Sequence, residues 1–392
     1  MKIGIDIRSI GANRTGDEVY IMNLVRSLAK IDKENQYFLF TDQTPKKLKK
    51  IRKEIFPNQN QGKNFLLVSI LPKNKALWTF FALPIYLWKN PVDILHVQYI
   101  VPFLLPIKAK IITTIHDISF NFFPQYIKKS DLFFLKTLIP LSLRKAKKII
   151  GVSEFTARAI KTYYKIVPEK VVAINNGGAS EEFFQKISEE KKEAIRQKYF
   201  LKEKYLLSVG TLQPRKNIPF LMKSFLEFKI KYAGRKEVEN LLLAIGGNRK
   251  ATNFDKEIEK TEKEISKKYP QIAPKIKFLG FIPQEDLPAL YQSAEVFVFP
   301  SLYEGFGLPL LEAMASETPV LCSNSSCFPE IAGNGAELFL QNDKKDFTKK
   351  LFSIIIDKSK KTDLKTKGLK RVGDFSWEKC ARETLSVYQS IG

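Results

Sequence analysis

Cysteine and histidine are scarce in this chain. Its 392 residues include three cysteines, Cys322, Cys327 and Cys380, and two histidines, and no two cysteines are spaced as Cys-x-x-Cys. A disulfide framework needs more cysteines, and a structural zinc site needs clustered cysteine and histidine ligands. We therefore expect no disulfides, no metal site and a reducing compartment.

Uncharged runs are short. The longest covers residues 94–107, which is fourteen residues, whereas a membrane-spanning helix needs about 20. Asp6 and Arg8 also interrupt the first apolar segment, where a secretion signal would stay apolar. These features predict a cytoplasmic chain without a transmembrane helix.

Acidic residues are outnumbered. The chain has 41 Asp and Glu against 65 Lys and Arg, a formal net charge of +24. Residues 1–180 hold 29 of the basic and 12 of the acidic residues, a net +17, which leaves +7 for the rest. Such an excess favours an anionic partner: nucleic acid, a lipid surface or a phosphate ester.

The hydrophobic pattern predicts two α/β domains. Short apolar runs bounded by turn residues alternate with amphipathic segments, which is typical of a parallel sheet wrapped by helices. We predict doubly wound, Rossmann-like domains over residues 1–187 and 188–376, facing a central cleft, and a final helix over 377–392 that packs back on the first domain. Because ligands of such domains bind beyond the carboxyl ends of the strands, function should concentrate in the loops that follow strands. The predicted strands are Lys2–Ile7, Tyr37–Thr41, Phe65–Leu71, Ile94–Val97, Ile111–Ile115, Lys148–Val152, Val171–Asn175, Tyr205–Gly210, Leu241–Gly246, Lys275–Leu279, Val296–Pro300 and Pro319–Ser323.

The most informative loop begins at Pro300. The sequence leaves a predicted strand, passes Gly305 and Gly307 and enters a helix, so backbone N–H groups and the positive helix end can approach an anionic ligand. Glu304 and Glu312 would repel a phosphate unless they accept hydrogen bonds from hydroxyls of the same ligand. This combination favours a sugar nucleotide. The alternative is that Glu312 only complements the helix dipole and Glu304 is an ordinary loop acid.

A second loop follows the predicted strand Tyr205–Gly210 and contains Arg215 and Lys216 side by side. A rigid guanidinium fork beside a lysine point charge suits a diphosphate. In a chain so rich in basic residues, the alternative is a solvated surface pair. The position at the carboxyl end of a strand favours the functional interpretation.

Motifs of other catalytic classes are missing. The sequence contains no Asp-x-Asp, no Gly-x-x-x-x-Gly-Lys-Ser/Thr phosphate loop and no Gly-x-Ser-x-Gly nucleophile elbow. These absences disfavour a transferase that holds a metal between carboxylates, a P-loop enzyme and a hydrolase with a serine elbow.

Eight segments carry a family resemblance that extends over nearly the whole chain: Thr15–Tyr20, His116–Phe120, Gly151–Thr156, Asn176–Gly178, Ser208–Asn217, Phe299–Ala315, Cys327–Glu330 and Phe375–Glu378. Together they resemble the group-1, family-4 retaining glycosyltransferases of the GT-B fold, including bacterial mannosyltransferase-like members. The resemblance implies two Rossmann-like domains and a nucleotide-sugar donor.

The resemblance also implies individual roles. Arg215 and Lys216 would bind the donor diphosphate, Glu304 the hydroxyls of the transferred sugar, and Glu312 the nucleotide ribose. His116 would lie near the transferred sugar, although an isolated histidine is more often structural. The implied catalytic set is His116, Arg215, Lys216 and Glu304. Further implied donor-binding residues are Gly16, Gly210, Gly305, Phe306, Gly307, Leu308 and Glu312.

Two positions depart from the family pattern. Family members commonly read Thr-Gly-Ile-Gly-Arg-Tyr in the first loop, whereas Asp17, Glu18 and Val19 follow Gly16 here. Glu317 stands before Thr318 where family members commonly have glycine. The first departure leaves open the alternative of a catalytically silent GT-B scaffold, and the second changes at most a turn.

The resemblance implies transfer of a mannose- or glucose-type hexose from a nucleoside-diphosphate sugar to a glycan or lipid-linked acceptor in cell-envelope polysaccharide synthesis. It implies no metal and no other cofactor, because cations and a helix end can stabilise the leaving diphosphate. A basic nucleic-acid-binding protein is the alternative class, but no recognisable binding module supports it, so we expect no specific nucleic-acid partner.

Basic residues flank aromatic residues in the first half. Lysines enclose Trp78, Phe81 and Trp88 within residues 73–89, and they enclose Phe133 and Phe134 within residues 128–148. Residues 46–53 form a basic helical pattern. Basic residues beside exposed aromatics would suit an anionic surface at the inner face of the cell membrane. The alternative is that the aromatics belong to the core and the lysines are solvated.

Overall fold

The computed structural model describes residues 1–11, 16–58, 60–106, 109–251 and 253–392. The described chain forms two compact units. Unit 1 comprises Met1–Phe122, Lys128–Gly177 and Phe375–Gly392, and unit 2 comprises Phe123–Ile127 and Gly178–Asp374. Residues 12–15, which complete the predicted first loop and include Thr15 of the first family segment, lie outside the described residues.

Unit 1 is built on a parallel sheet of seven strands within the described residues: β1 (Lys2–Asp6), β2 (Gln36–Thr41), β3 (Phe65–Ser69), β4 (Ile94–Gln98), β5 (Lys110–Ile115), β6 (Lys148–Gly151) and β7 (Val171–Ala173). The strands lie in the order β3-β2-β1-β4-β5-β6-β7. Residues such as Ile3, Ile5 and Ile112 are fully buried, as strands covered on both faces must be. The strand order reverses between β1 and β4, and the carboxyl ends of these strands mark the expected ligand position.

Helices connect these strands. Those described before residue 178 are α1 (Gly16–Ile31), α2 (Pro45–Ile55), α3 (Lys75–Leu77), α4 (Leu83–Lys89), α5 (Ser119–Phe122), α6 (Lys129–Lys145) and α7 (Glu154–Tyr164). A π turn over Trp78–Ala82 joins α3 to α4, so the backbone is helical from Lys75 to Lys89. The Ser153 hydroxyl caps α7 by accepting a hydrogen bond from the Thr156 backbone N–H at 3.1 Å, which gives the Gly151–Thr156 segment a structural role.

Unit 2 has a second parallel sheet. Its six described strands are β8 (Tyr205–Val209), β9 (Leu242–Gly246), β10 (Ile276–Gly280), β11 (Val296–Phe299), β12 (Val320–Ser323) and β13 (Glu337–Phe339), in the order β10-β9-β8-β11-β12-β13. The order reverses between β8 and β11. All twelve predicted strands are confirmed, with ends within two residues of the prediction. Strand β13 was missed because it is three residues long, lies at the sheet edge and includes a glutamate.

The helices described in unit 2 are α8 (Glu189–Lys198), α9 (Ile218–Lys231), α10 (Lys236–Glu239), α11 (Lys256–Lys268), α12 (Leu287–Ser293), α13 (Leu308–Ala315), α14 (Phe328–Ala332), α15 (Lys344–Ile356) and α16 (Lys358–Val372). Several begin at a capping side chain: the Asp343 carboxylate accepts hydrogen bonds from two backbone N–H groups of α15, both at 2.9 Å. Such caps satisfy donors that a helix leaves without intrahelical partners.

The last helix, α17 (Trp377–Ile391), belongs to unit 1. Its buried residues, among them Cys380 and Tyr388, join the core that Tyr20 and Leu24 of α1 also enter. A Cβ atom on Gly177 would lie 2.2 Å from Cγ of Trp377, so only glycine fits there. The family segments Asn176–Gly178 and Phe375–Glu378 therefore pack together, which is a structural role.

The three cysteines are free and buried. Burial raises the pKa of Cys380 to about 12 and also raises that of Cys322, so both thiols stay protonated near neutral pH. Among the described residues, no helix combines the length and apolar character that crossing a membrane requires.

Candidate functional site

Two loops meet where the strand order of unit 2 reverses. One follows β8 and contains Arg215 and Lys216, and the other follows β11 and contains Glu304. The backbone N–H of Leu302 donates to the Arg215 carbonyl oxygen at 2.7 Å, which ties the second loop to the first. Because β8 and β11 are neighbours in the sheet, residues nearly 90 positions apart in sequence lie together at the expected ligand position.

The side chains of Arg215, Lys216 and Glu304 form one ionic cluster. Arg215 Nη1 donates to Glu304 Oε2 at 2.8 Å and to the Tyr303 carbonyl oxygen at 3.0 Å. Lys216 Nζ donates to Glu304 Oε1 and lies 5.1 Å from the centre of the Phe299 ring. With one carboxylate and two cations, the cluster keeps a net positive charge.

Glu304 stays ionised in this cluster. Its side chain is only 9% exposed, and burial alone would raise its pKa. The charges of Arg215 and Lys216, and the hydrogen bonds from them, outweigh burial and lower the pKa of Glu304 to about 2. An ionised carboxylate only accepts hydrogen bonds, so it suits hydroxyl groups of a ligand.

The loop after β12 supports the Glu304 backbone. The Glu304 N–H donates to Ser326 Oγ at 3.0 Å, and Ser325 Oγ donates to the Ser301 carbonyl oxygen at 2.8 Å. The sequence did not single out Ser325 or Ser326. The signal was present, since both lie in the short loop between the predicted strand Pro319–Ser323 and the Cys327–Glu330 segment.

Gly307 sets the turn into α13. Its φ is +88°, in the left-handed region, and an added Cβ would lie 3.0 Å from Cε1 of Phe328. Both constraints favour glycine. Helix α13 starts at the next residue, Leu308, with Pro309 in its first turn. Gly305 and Phe306 are buried in the same turn, directly after Glu304.

Glu312 lies in α13, which follows the Glu304 loop, and Gly210 begins the loop that contains Arg215 and Lys216. Glu312 Oε2 accepts a hydrogen bond from the Tyr291 hydroxyl at 3.2 Å. Burial, together with the Glu312 charge, raises the pKa of Tyr291 well above its usual value, so Tyr291 stays a donor that orients the Glu312 carboxylate. A Cβ on Gly210 would lie 3.8 Å from Lys216 Cε, an ordinary contact distance.

His116 lies in unit 1, directly after β5. Its Nε2–H donates to Gln98 Oε1 at 2.7 Å, and Gln98 Nε2 donates to Ser9 Oγ at 3.2 Å. Asp17 Oδ1 lies 3.8 Å from the same imidazole nitrogen. Ser9 lies shortly after β1, and Gln98 is the last residue of β4. Ser9, Gln98 and His116 therefore lie where the strand order of unit 1 reverses. Sequence reasoning missed Gln98, although it directly follows the predicted strand Ile94–Val97.

His96 is a packing residue. It is fully buried, with Nδ1 2.6 Å from the Tyr388 hydroxyl oxygen and Nε2 2.8 Å from Thr114 Oγ1. Burial, with a smaller effect of His116, lowers the pKa of His96 to about 3, so it is neutral. Within the described ranges, no three or more His, Cys, Asp or Glu side chains form a group that could hold a metal ion.

The two departures from the family pattern have structural counterparts. Gly16 is the exposed first residue of α1, and the buried Glu18, in place of the usual second glycine, accepts a hydrogen bond from the Gly11 N–H at 2.7 Å. Glu317 has a φ of +53°. A left-handed residue is most easily glycine, which explains the usual family residue at that turn.

Two protein-family models match the chain. The model described as "Glycosyl transferases group 1" matches residues 191–371, and the model described as "Glycosyltransferase Family 4" matches residues 14–178. The second match includes His116, and the first includes Arg215, Lys216 and Glu304.

Curated relatives include bacterial mannosyltransferases. The chain is 31% identical to O-antigen chain mannosyltransferase B of Escherichia coli over 295 residues, which is 74% of this chain and 73% of the relative. It is 29% identical over 244 residues to O-antigen chain mannosyltransferase RfbU of Salmonella typhimurium strain LT2, covering 62% of this chain and 60% of that protein. The match to the Escherichia coli serotype-specific mannosyltransferase WbdA, at 29% identity, spans 63% of this chain but 29% of WbdA.

Solved structures share the whole fold. A glycosyltransferase from Rickettsia africae ESF-5 matches with a TM-score of 0.74 at 19% identity, covering 100% of this chain and 98% of that one. Anabaena Alr3699/HepE in complex with UDP-glucose matches with a TM-score of 0.72 at 15% identity, covering 100% of both chains. At these identities the likeness shows the fold alone, which is the GT-B fold.

Proposed function

Since this chain belongs to the group-1 family of glycosyltransferases, we propose that it transfers a mannose- or glucose-type hexose to a glycan or lipid-linked acceptor. It is a nucleotide-sugar-dependent glycosyltransferase. The observation that carries the proposal is the cluster of Arg215, Lys216 and Glu304 at the reversal point of unit 2. Its geometry supports a ligand that is anionic at one end and bears hydroxyls at the other.

In this proposal, Arg215 and Lys216 bind the donor diphosphate. Glu304 holds both side chains at the carboxyl end of β8. Binding of an anion therefore costs little further side-chain entropy. The turn at Gly305, Phe306 and Gly307 and the start of α13 at Leu308 add backbone dipoles. Positive charge that is already in place stabilises the diphosphate as it leaves, so the proposed reaction needs no metal ion or other cofactor.

Glu304 and Glu312 take the hydroxyl groups of the donor in this proposal. Glu304 is ionised and fixed by two cations, which leaves it an acceptor for hydroxyls of the transferred sugar. Glu312, oriented by Tyr291, accepts hydrogen bonds from the ribose. Gly210, beside the Lys216 side chain, is assigned to donor contact on the family resemblance alone.

The proposed transfer retains the anomeric configuration. The bond between the sugar C1 and the phosphate oxygen breaks, and the acceptor oxygen bonds to C1 on the same face. The acceptor proton passes to the departing phosphate oxygen, so no protein nucleophile is required. In unit 1 we assign His116 to substrate contact, with Gln98 fixing its Nε2–H. Gly16, which starts α1, is assigned to donor contact on the family resemblance alone.

The relatives support a place in cell-envelope polysaccharide synthesis. Two of them are named as O-antigen chain mannosyltransferases, so mannose is the first donor sugar to test. The basic excess of residues 1–180, net +17, supports work on the cytoplasmic side at an anionic membrane surface.

The test is a screen of nucleoside-diphosphate sugars for thermal stabilisation, donor hydrolysis and transfer, followed by NMR of the product anomer. We expect a mannose or glucose donor to raise the melting temperature and to give a retained product. An inverted product refutes the retaining mechanism. Absence of any nucleoside-diphosphate binding supports a silent scaffold instead.

Lys216→Met should abolish most transfer. Lys361→Met is the matched control, because Lys361 is also a partly buried lysine of unit 2 that is paired with a glutamate, Glu295. Near wild-type turnover of Lys216→Met would remove Lys216 from the proposed role. A loss of turnover in the control would mean that any broken ion pair in unit 2 has this effect.

A further inference from the structure

The helical stretch from Lys75 to Lys89 in unit 1 is apolar on two sides. One side is buried and includes Trp78, Leu83 and Leu87. The other side presents Leu77, Phe81, Ile85 and Trp88 at intervals of four, four and three residues, each between 49% and 65% exposed. The core is already covered by the buried side of this helix. An exposed apolar stripe on its other side therefore indicates a site that binds another molecule.

This outer stripe extends to Leu104. The Trp88 indole N–H donates to the Leu104 carbonyl oxygen at 3.1 Å, and the Leu104 side chain is 60% exposed. We call the side chains of Leu77, Phe81, Ile85, Trp88 and Leu104 the outer apolar face. Several large apolar side chains exposed in one place are unusual for a surface that faces only water.

The helix that carries this face is fixed to the unit. The Arg8 guanidinium lies 3.7 Å from the centre of the Trp78 ring and donates to Thr79 Oγ1 at 3.1 Å. The Asn74 side chain caps the helix start by accepting from the backbone N–H groups of Ala76 and Leu77, at 3.1 and 3.0 Å. The outer apolar face is therefore held in place and needs no ordering step before a partner binds.

Charge along the segment that carries this face has one sign, and from outside the segment the Asp42 carboxylate interacts with Lys73. Lys73, Lys75 and Lys89 are exposed at its two ends, and the sequence holds no Asp or Glu between Glu54 and Asp93. Two copies of the chain docked face to face would bring these lysines together, and the segment that carries the face has no Asp or Glu to pair with them. Negatively charged lipid headgroups would pair with them, while the apolar side chains enter the acyl boundary.

We propose that the outer apolar face is a membrane-docking surface, which inserts Phe81, Ile85 and Trp88 into the interface of an anionic lipid bilayer. This inference rests on the proposed membrane location of the enzyme. The sequence offered two other basic stretches. In α2, Ile51 and Ile55 are buried and the lysines are solvated, whereas residues 128–148 also expose two aromatics, Phe133 and Phe134, without the continuous apolar stripe of the outer apolar face. Helix α2 therefore supplies charge without an inserting side.

The test uses the full chain and vesicles of phosphatidylcholine, with or without phosphatidylglycerol. Of the three tryptophans, Trp78 is buried, Trp377 is half-buried and Trp88 is 65% exposed. We expect a blue shift and quenching by brominated lipid in anionic vesicles only, and loss of this quenching in Trp88→Phe. Absence of quenching in the wild-type protein overturns the proposal.

Variants locate the surface. Phe81→Ala combined with Ile85→Ala should weaken vesicle binding by about tenfold or more. Phe200→Ala in unit 2 should not, although Phe200 is 75% exposed against 54% for Phe81. Replacing Lys73, Lys75 and Lys89 by Gln should weaken it by about fivefold for each lysine. Replacing Lys46, Lys47 and Lys50 of α2 is the charge-matched control, and an equal loss there overturns the proposal by showing diffuse attraction.

Two further outcomes separate this inference from the proposed function. Vesicle binding that survives the Phe81 and Ile85 substitutions overturns the docking surface but leaves the membrane location intact. Concentration-dependent dimers that the same substitutions abolish also overturn it, in favour of a second copy. Since neither readout uses catalysis, the proposed transfer can fail while the docking surface stands, and soluble donor binding in the Phe81 and Ile85 variant checks that the fold is intact.

Discussion

Neutralising Glu304 should strengthen binding of a diphosphate while it abolishes transfer. In the free protein, Glu304 occupies both cations that we assign to the donor diphosphate. Glu304→Gln keeps the shape of the side chain and removes the negative charge. If Arg215 and Lys216 bind the diphosphate and Glu304 binds the sugar hydroxyls, the two activities must move in opposite directions.

The magnitude follows from the geometry. Glu304 Oε2 lies 2.8 Å from Arg215 Nη1, so a phosphate oxygen bound to the same guanidinium would lie about 6 Å from the carboxylate. Two unit charges at about 6 Å repel by about 1.5–3 kcal/mol at an effective dielectric constant of about 20–40. Removing this repulsion should tighten binding by about ten- to a hundredfold.

The same substitution should destabilise the fold. The pKa of Glu304 is lowered from 4.5 to about 2, so the ionised form is favoured in the folded protein by about 3 kcal/mol. Glutamine forgoes this interaction, and we expect the free energy of unfolding to fall by about that amount. Binding must therefore be measured at a temperature where the variant is folded.

The assay is calorimetric titration with inorganic pyrophosphate, which removes the base and the sugar from the comparison, at two salt concentrations. Glu295→Gln is the control, since it breaks a doubly paired glutamate elsewhere in unit 2. Tighter pyrophosphate binding in Glu304→Gln alone, weakened by salt, agrees with the assignment. Unchanged or weaker binding, or an equal gain in Glu295→Gln, refutes it, and wild-type transfer by Glu304→Gln refutes the sugar role.

Three further predictions concern stability. Because the pKa of His96 is lowered to about 3 in the folded protein, the unfolded chain takes up the proton first as the pH falls below 6.5. The free energy of unfolding should therefore drop by about 2 kcal/mol between pH 6.5 and 5. Urea unfolding at a series of pH values checks this, and the free energy of unfolding of His96→Gln should depend less steeply on pH. Glu317→Gly should raise the free energy of unfolding by about 0.5–1 kcal/mol, because relief of the left-handed φ exceeds the added entropy of the unfolded chain, whereas Glu317→Ala should give no gain. Gly177→Ala should lower the melting temperature, at a cost of about 1–3 kcal/mol from the clash with Trp377, while Gly373→Ala, on the exposed surface, should change it little.

The sequence predicted the strands better than the contacts between them. Alternating apolar runs located both sheets, because each buried strand must be apolar on two faces. The pairing of Glu304 with Arg215 and Lys216 was not predictable from spacing, since it depends on β8 and β11 becoming neighbours across almost 90 residues of chain. Glu304 was instead assigned to sugar hydroxyls on the family resemblance. Only the structure shows that Arg215 and Lys216 pair with it in the free protein.

The neighbours of His116 show the same limit. Gln98 and Ser9 lie one and two residues after predicted strands, but nothing in the sequence brings Ser9, Gln98 and His116 together before the order of β1, β4 and β5 is known. Glu317 shows the reverse case. The family comparison marked it as unusual, and the φ of +53° supplies the physical reason.

The return of α17 to unit 1 also sets the order in which the protein is completed on the ribosome. The sheet of unit 1 emerges first, yet the Tyr388 hydroxyl that pairs with His96 and the Trp377 ring that packs on Gly177 are synthesised only after the whole of residues 178–374. Until α17 is synthesised, the His96 imidazole and the core-facing side of α1 remain exposed to solvent. Unit 2, in contrast, can finish folding while the chain is still attached. A stalled nascent chain that carries residues 1–374, followed by a linker long enough to clear the ribosomal exit tunnel, should therefore have unit 2 folded and unit 1 open to proteases.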